Sequence, residues 1–148
     1  MKIANHTLIV STLALAASFP AFAASPAAIA ANEPSYNLAT TTQVAGIVTG
    51  IRQVPAGSPL AGTHLTLKAK SGMVDVYLGP ADFLKFLKVS FPVGDEISVT
   101  GSKVKLDNAD VILSRQVDDG SELITLRDSS GAGDWQHWGQ EIDPSLVK

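Results

Sequence analysis

The chain has 148 residues, no cysteine and a formal charge of −3 at pH 7, material for one modest hydrophobic core and too little for two domains. Without cysteine there are no disulfides, thiolate metal sites, thiol nucleophiles or covalent c-type haem attachment, so the core alone must hold the fold. The acidic balance gives no global attraction for phosphate backbones and weighs against bulk nucleic-acid binding.

Residues 1–23 read as a removable export signal. Lys2 supplies the positive zone, TLIVSTLALAA (7–17) the apolar run, and Pro20 with Ala21 and Ala23 the helix break and small-x-small cleavage pattern. The apolar run is about half the length that a bilayer crossing needs, so no transmembrane anchor is expected after cleavage. Cleavage is expected after Ala23, with Ala24 as the alternative, and no cysteine follows that would take a lipid. The address this implies is periplasmic or secreted. Losing Lys2 with the signal takes the formal charge from −3 to −4. Residues 24–42, rich in Ala, Ser, Pro and Asn, read as a flexible leader. A folded domain is expected over 43–135, followed by a C-terminal tail at 136–148.

From Gln43 on, apolar residues alternate and β-branched residues are frequent. VAGIVTGIRQV (44–54) predicts a long first strand in which Gly46 and Gly50 mark a bulge or a sharp coil. PAGSPLAG (55–62) predicts a loop. THLTLKAK (63–70) predicts a second strand with Leu65, Leu67 and Ala69 inward and His64, Thr66, Lys68 and Lys70 outward. Ser71-Gly72 suits a tight hairpin turn into a third strand, MVDVYL (73–78), with Val74, Val76 and Leu78 inward.

Gly79-Pro80 ends that strand and the period changes. ADFLKFLK (81–88) sets Phe83, Leu84 and Leu87 on one helical stripe, with Pro80 fitting the first turn and Asp82 near the positive end. EISVTGSKVKL (96–106), interrupted by Gly101, predicts a fourth strand, DVILSRQV (110–117) a fifth and SELITLR (121–127) a sixth. Asp107-Asn108-Ala109 and Asp118-Asp119-Gly120 are the turns between them. A coiled first strand, a hairpin, one helix and then two more strands is the wiring of the OB-fold, a mostly β, five- to six-stranded Greek-key barrel whose helix plugs one end. A flat meander or small sandwich is the competing architecture.

The segments VAGIVTGIRQV, GTHLTLKAKSG, VDVYLGP, VGDEISVTGSKV, VILSRQV and ELITLRDSSG, followed by Trp135, resemble a family of short exported bacterial OB-fold-like proteins, some labelled DNA-binding. Related domains occur in magnetosome proteins of the MamS/MamX type, and periplasmic OB-fold proteins linked to stress tolerance are more distantly similar. The resemblance implies the barrel and adds little on activity. Haem-carrying magnetosome relatives depend on cysteine motifs that this chain lacks, so it implies no redox role, and no cofactor is expected.

After cleavage the histidines are His64 and His137, with no HxH pair, no helical pairing and no calcium-loop spacing, so no metal is expected. No serine sits in a GxSxG elbow, adjacent Asp95 and Glu96 point to opposite faces, and Asp75 and Asp110 read as solvent-facing. The chain is not expected to be an enzyme. The ligand-binding candidates are Arg52, His64, Lys68, Lys70 and Tyr77 on the face of the second and third strands, where Tyr77 would stack on a base or sugar while the lysines meet an anion. Single-strand binders present several aromatics and this face has one, so nucleic acid or a small anionic ligand is the alternative to a protein or envelope partner.

Arg115 and Arg127 are structural or binding candidates. Arg115 interrupts the series Val111, Leu113 and Val117, so it needs an ion pair, with Asp128 or Glu122 in reach, or a bulge that turns it outward. Trp135 and Trp138 follow a Gly131-Ala132-Gly133 hinge and either pack back or dock to a partner, with packing expected for Trp135. The reading is an exported, non-enzymatic binding or accessory module.

Overall fold

Aliphatic and β-branched residues at alternate positions fold into β1 (Thr41–Val54), β2 (Gly62–Ala69), β3 (Gly72–Gly79), β4 (Glu96–Leu106), β5 (Ala109–Asp118) and β6 (Leu123–Thr125), with helix α1 (Ala81–Leu87) between β3 and β4. The computed structural model describes residues 33–137. The stretch read as an export signal, residues 24–32 of the expected leader, and residues 138–148 of the expected tail, Trp138 among them, lie outside the described residues. Among the described residues no helix is long and apolar enough to cross a membrane.

The strands run in the order β3-β2-β1-β4-β5-β6, and a parallel pairing of β3 with β5 closes the first five into a barrel. β1 serves two neighbours: residues 41–47 pair with β4 and residues 46–54 with β2. The expected irregularity in this strand falls between Val48 and Gly50, where the register slips. The described residues therefore form the expected mostly β architecture, a closed five-stranded barrel plus an extra strand with one helix between β3 and β4.

Val48, Leu67, Val76, Val99 and Val117 fill the interior, and Phe83 and Leu84 of α1 pack onto them. α1 has no side-chain N-cap and ends at Lys88 in the left-handed region (φ 57°). Seven residues with so little capping owe their helical state to tertiary contact, and each buried Phe or Leu contributes about 1.5–3 kcal/mol.

The phase of β5 differs from expectation. Ile112 and Val117 belong to the barrel core, whereas Val111 and Leu113 join a second cluster with Leu60 and Tyr77. The cause is a bulge: Thr100 pairs with Gln116 and Gly101 with Ser114, which leaves Arg115 over. Gly101 permits it, since a Cβ there would stand 2.2 Å from the Leu113 carbonyl oxygen. β6 is shorter than expected because the Leu126 and Arg127 amides both turn to the Arg115 carbonyl.

Val76 and Leu78 enter the core, so Tyr77 between them points to the outer face. That outer face is not left to solvent. Leu60 from the β1–β2 loop, Tyr36 upstream of β1 and Trp135 downstream of β6 cover it. The Asn37 amide donates to Ser102 Oγ, and β1 begins at Thr41, so residues 37–42 are tied to β4.

Candidate functional site

The polar face expected on β2 and β3 is split in two. Arg52 donates to Asp75 at 2.9 Å, and His64 Nδ1 lies 3.1 Å from the other oxygen of the same carboxylate. His64 is not outward in solvent but 2% exposed, with Nε2 2.9 Å from the Leu60 carbonyl and its ring 5.1 Å from Tyr77. Tyr77 is also buried and donates to the Ala61 carbonyl at 3.0 Å. The correction has one cause: Leu60, held at φ 53°, folds the β1–β2 loop over both rings.

Lys68 and Lys70 stand apart from this group and are exposed. Lys68 lies between Ile47 and Met73 in register, and both of those are exposed. Asp75 is half-buried rather than solvent-facing, while Asp110 is exposed and accepts from Lys103 and Lys105. Arg115, half-buried at its bulge, makes no ion pair with Asp128 or Glu122 among the described residues. Asp128 instead accepts from Ser130 and the Ala132 amide, which holds its carboxyl below the usual range.

Arg127 has a more specific setting. Its backbone bridges to Gly133, and the Asp134 amide donates to the Leu126 carbonyl, so the chain doubles back and brings Trp135 over the guanidinium. The Arg127 Cζ lies 4.7 Å from the Trp135 ring centre and 5.9 Å from those of Tyr36 and Tyr77. Trp135 in turn sets its ring edgewise to Phe83 at 5.6 Å and Tyr77 at 6.2 Å, so it packs back as expected. Gly131 has φ 91°, and a Cβ there would meet Tyr36 Cδ1 at 2.3 Å. No other residue lets Tyr36 lie so close.

Arg127 is only 7% exposed. Nη1 donates to the Gly131 carbonyl at 3.0 Å, but Nε is buried without a partner, as is the Tyr36 hydroxyl. No carboxylate of the described residues comes within ion-pair distance of it. Cation–π contact at three rings offsets about 0.5–2 kcal/mol apiece when desolvated, and an unpaired buried donor costs about 1–3 kcal/mol. Burial lowers the Arg127 guanidinium from its ordinary value, with Tyr77, Glu33 and Tyr36 acting the other way. Burial, helped by Glu33 and opposed by Arg127, pushes the Tyr77 phenol up to about 12. At neutral pH the Tyr77 phenol is thus neutral.

Beside Arg127 lies a pocket of about 380 Å³ lined by Glu33, Pro34, Ser35, Tyr36, Gly131, Trp135 and Gln136. Sequence reasoning named Arg127 but missed Glu33 and Tyr36, which fall within the stretch read as a leader. A lone tyrosine among small and polar residues was the available signal. Among the described residues no three His, Cys, Asp or Glu side chains converge as metal ligands.

No curated protein matches the chain. The model of the MamS/MamX magnetosome protein family matches residues 40–124, more than half of the chain and almost all of the barrel. Glu33, Tyr36, Arg127 and Trp135 lie outside the matched residues, so the pocket is built by segments that flank the family's barrel. By that match over the barrel, the chain belongs to the MamS/MamX magnetosome protein family.

Proposed function

We propose that this protein is an exported, non-enzymatic binding module that receives an acidic group of a protein or envelope partner at the Arg127 pocket. The observation that carries this reading is a buried guanidinium with no carboxylate of the described residues in ion-pair range, standing in the wall of a pocket. A buried charge without a counter-charge is unfavourable, and a partner that brings one relieves it on docking. The positive zone, apolar run and Ala-x-Ala pattern of residues 1–23 support a periplasmic or secreted location.

The Asp75–His64 pair has the outline of a catalytic relay, but His64 Nε2 ends on a backbone carbonyl and not on a nucleophile. The family's name specifies no reaction. Both points support a binding role. Single-strand nucleic-acid binding through β2 and β3 gains no such support, because the one ring available for stacking, Tyr77, is covered.

The test is a photo-crosslinking side chain at exposed Ser35, on the pocket rim, in the exported full-length protein. A discrete adduct that disappears with Arg127→Gln is expected. Adducts indifferent to that substitution would overturn the reading.

A further inference from the structure

We infer that the group this pocket takes is a single carboxylate borne on an apolar or aromatic body, and that Glu33 is its built-in competitor. The inference rests on the binding role proposed above and specifies its chemistry.

The charges of the lining set the class of ligand. Among the described lining residues Arg127 is the one cation, no lysine joins it, and Glu33 is a carboxylate at the same pocket. A doubly charged phosphate seeks several donors or cations and would meet Glu33 with twice the repulsion of a monoanion. A carboxylate neutralises one guanidinium and matches its planar fork. Arg127 has given Nη1 to Gly131, while its Nε–H has no acceptor, so the fork retains a donor for that oxygen pair. The Tyr36 hydroxyl, also buried and unpartnered, is a second polar group at the same pocket.

The walls select what carries the carboxylate. Tyr36, Trp135 and Pro34 present ring and apolar surface, which suits a hydrophobic side chain beside the charge. Glu33 is exposed, and its charge is felt at both Arg127 and Tyr77 without closing to ion-pair distance. It partly satisfies the arginine when the pocket is empty and must be displaced or endured when a ligand carboxylate arrives.

The full-length protein carrying Trp138→Phe leaves Trp135 as its fluorophore. It is titrated with N-acetyl-phenylalanine, the corresponding amide, 3-phenylpropionate and inorganic phosphate. The two carboxylates are expected to change Trp135 emission, and the amide and phosphate are not. Arg127→Lys should weaken carboxylate binding by about tenfold, since the ammonium offers no planar fork. Glu33→Gln, a change at an exposed site that leaves the fold intact, should tighten it by about threefold.

Tighter binding of N-acetyl-phenylalanine than of 3-phenylpropionate identifies a peptide C-terminus, and equal binding identifies a free small carboxylate; both support the inference. Binding of phosphate or the amide as tight as that of the carboxylates overturns it, as does an affinity unchanged or weakened by Glu33→Gln. Arg127-dependent crosslinking from Ser35 without carboxylate binding removes this inference and keeps the partner role. Carboxylate binding without such crosslinks does the reverse.

Discussion

The barrel interior and the outer cluster on β3 and β5 are both buried, yet they are assembled on different terms. The interior is aliphatic and aromatic throughout, contributed by β1 to β5, α1 and short flanking segments. The outer cluster surrounds a guanidinium and is closed by three pieces of chain from outside the sheet: residues near Tyr36, the loop at Leu60 and the segment ending at Trp135. Close packing alone stabilises the first. The second holds between rings a charge with no ion pair among the described residues, which makes it the weaker contributor to stability.

The sharpest separation of the two regions comes from truncating the interior. Leu67→Ala, at a fully buried barrel position, should lower the unfolding free energy by about 3–4 kcal/mol. Urea denaturation measures it; a loss below about 1 kcal/mol would mean that the interior is loosely packed and the contrast false.

Alkaline titration probes the outer cluster next. The folded protein keeps the Tyr77 phenol protonated up to about 12 against an ordinary value of 10.0. Below pH 10 both states hold the proton and nothing changes; between pH 10 and 12 only the unfolded chain releases it, so stability falls as pH rises. Across that window the wild type should lose on the order of 2–3 kcal/mol more than Tyr77→Phe. Parallel stability curves for the two proteins would show Tyr77 to be accessible.

Gly131→Ala acts on the cover alone. The positive φ and the approach of Tyr36 should together cost about 1–2 kcal/mol, with Trp135 emission shifted while the far-ultraviolet circular dichroism keeps its β form. An unchanged Trp135 spectrum would detach Tyr36 from the arginine cluster. At the low end, Lys68→Ala on the exposed part of β2 should stay within about 0.5 kcal/mol of wild type, and a larger loss would extend the covered region to that end of the strand.

Much of the barrel was legible because its signals are local. Alternation placed Leu65, Leu67, Val76 and Leu78, and the change of period after Pro80 placed Phe83 and Leu84. The break in alternation at Arg115 pointed to either an ion pair or a bulge, and β5 alone could not decide between them, since the permissive residue for the bulge, Gly101, sits on the neighbouring strand. Alternation also correctly sent His64 and Tyr77 to the outer face, but it carries no information on whether a loop later covers that face. The candidate site was least legible because its parts lie at positions 33–36, 77 and 127–135, brought together by tertiary contact and not by any spacing.

The clasp on Arg127 fixes the moment at which the site comes into being. Trp135 comes over the guanidinium through the local Arg127–Gly133 bridge, but Tyr36 precedes every strand and joins the pair only when the barrel has brought the two flanking segments together. A chain trapped with its β3–β5 seam unzipped lacks the third ring of the clasp. Under the proposed binding role, a ligand of this pocket registers completion of the barrel along with its own chemistry.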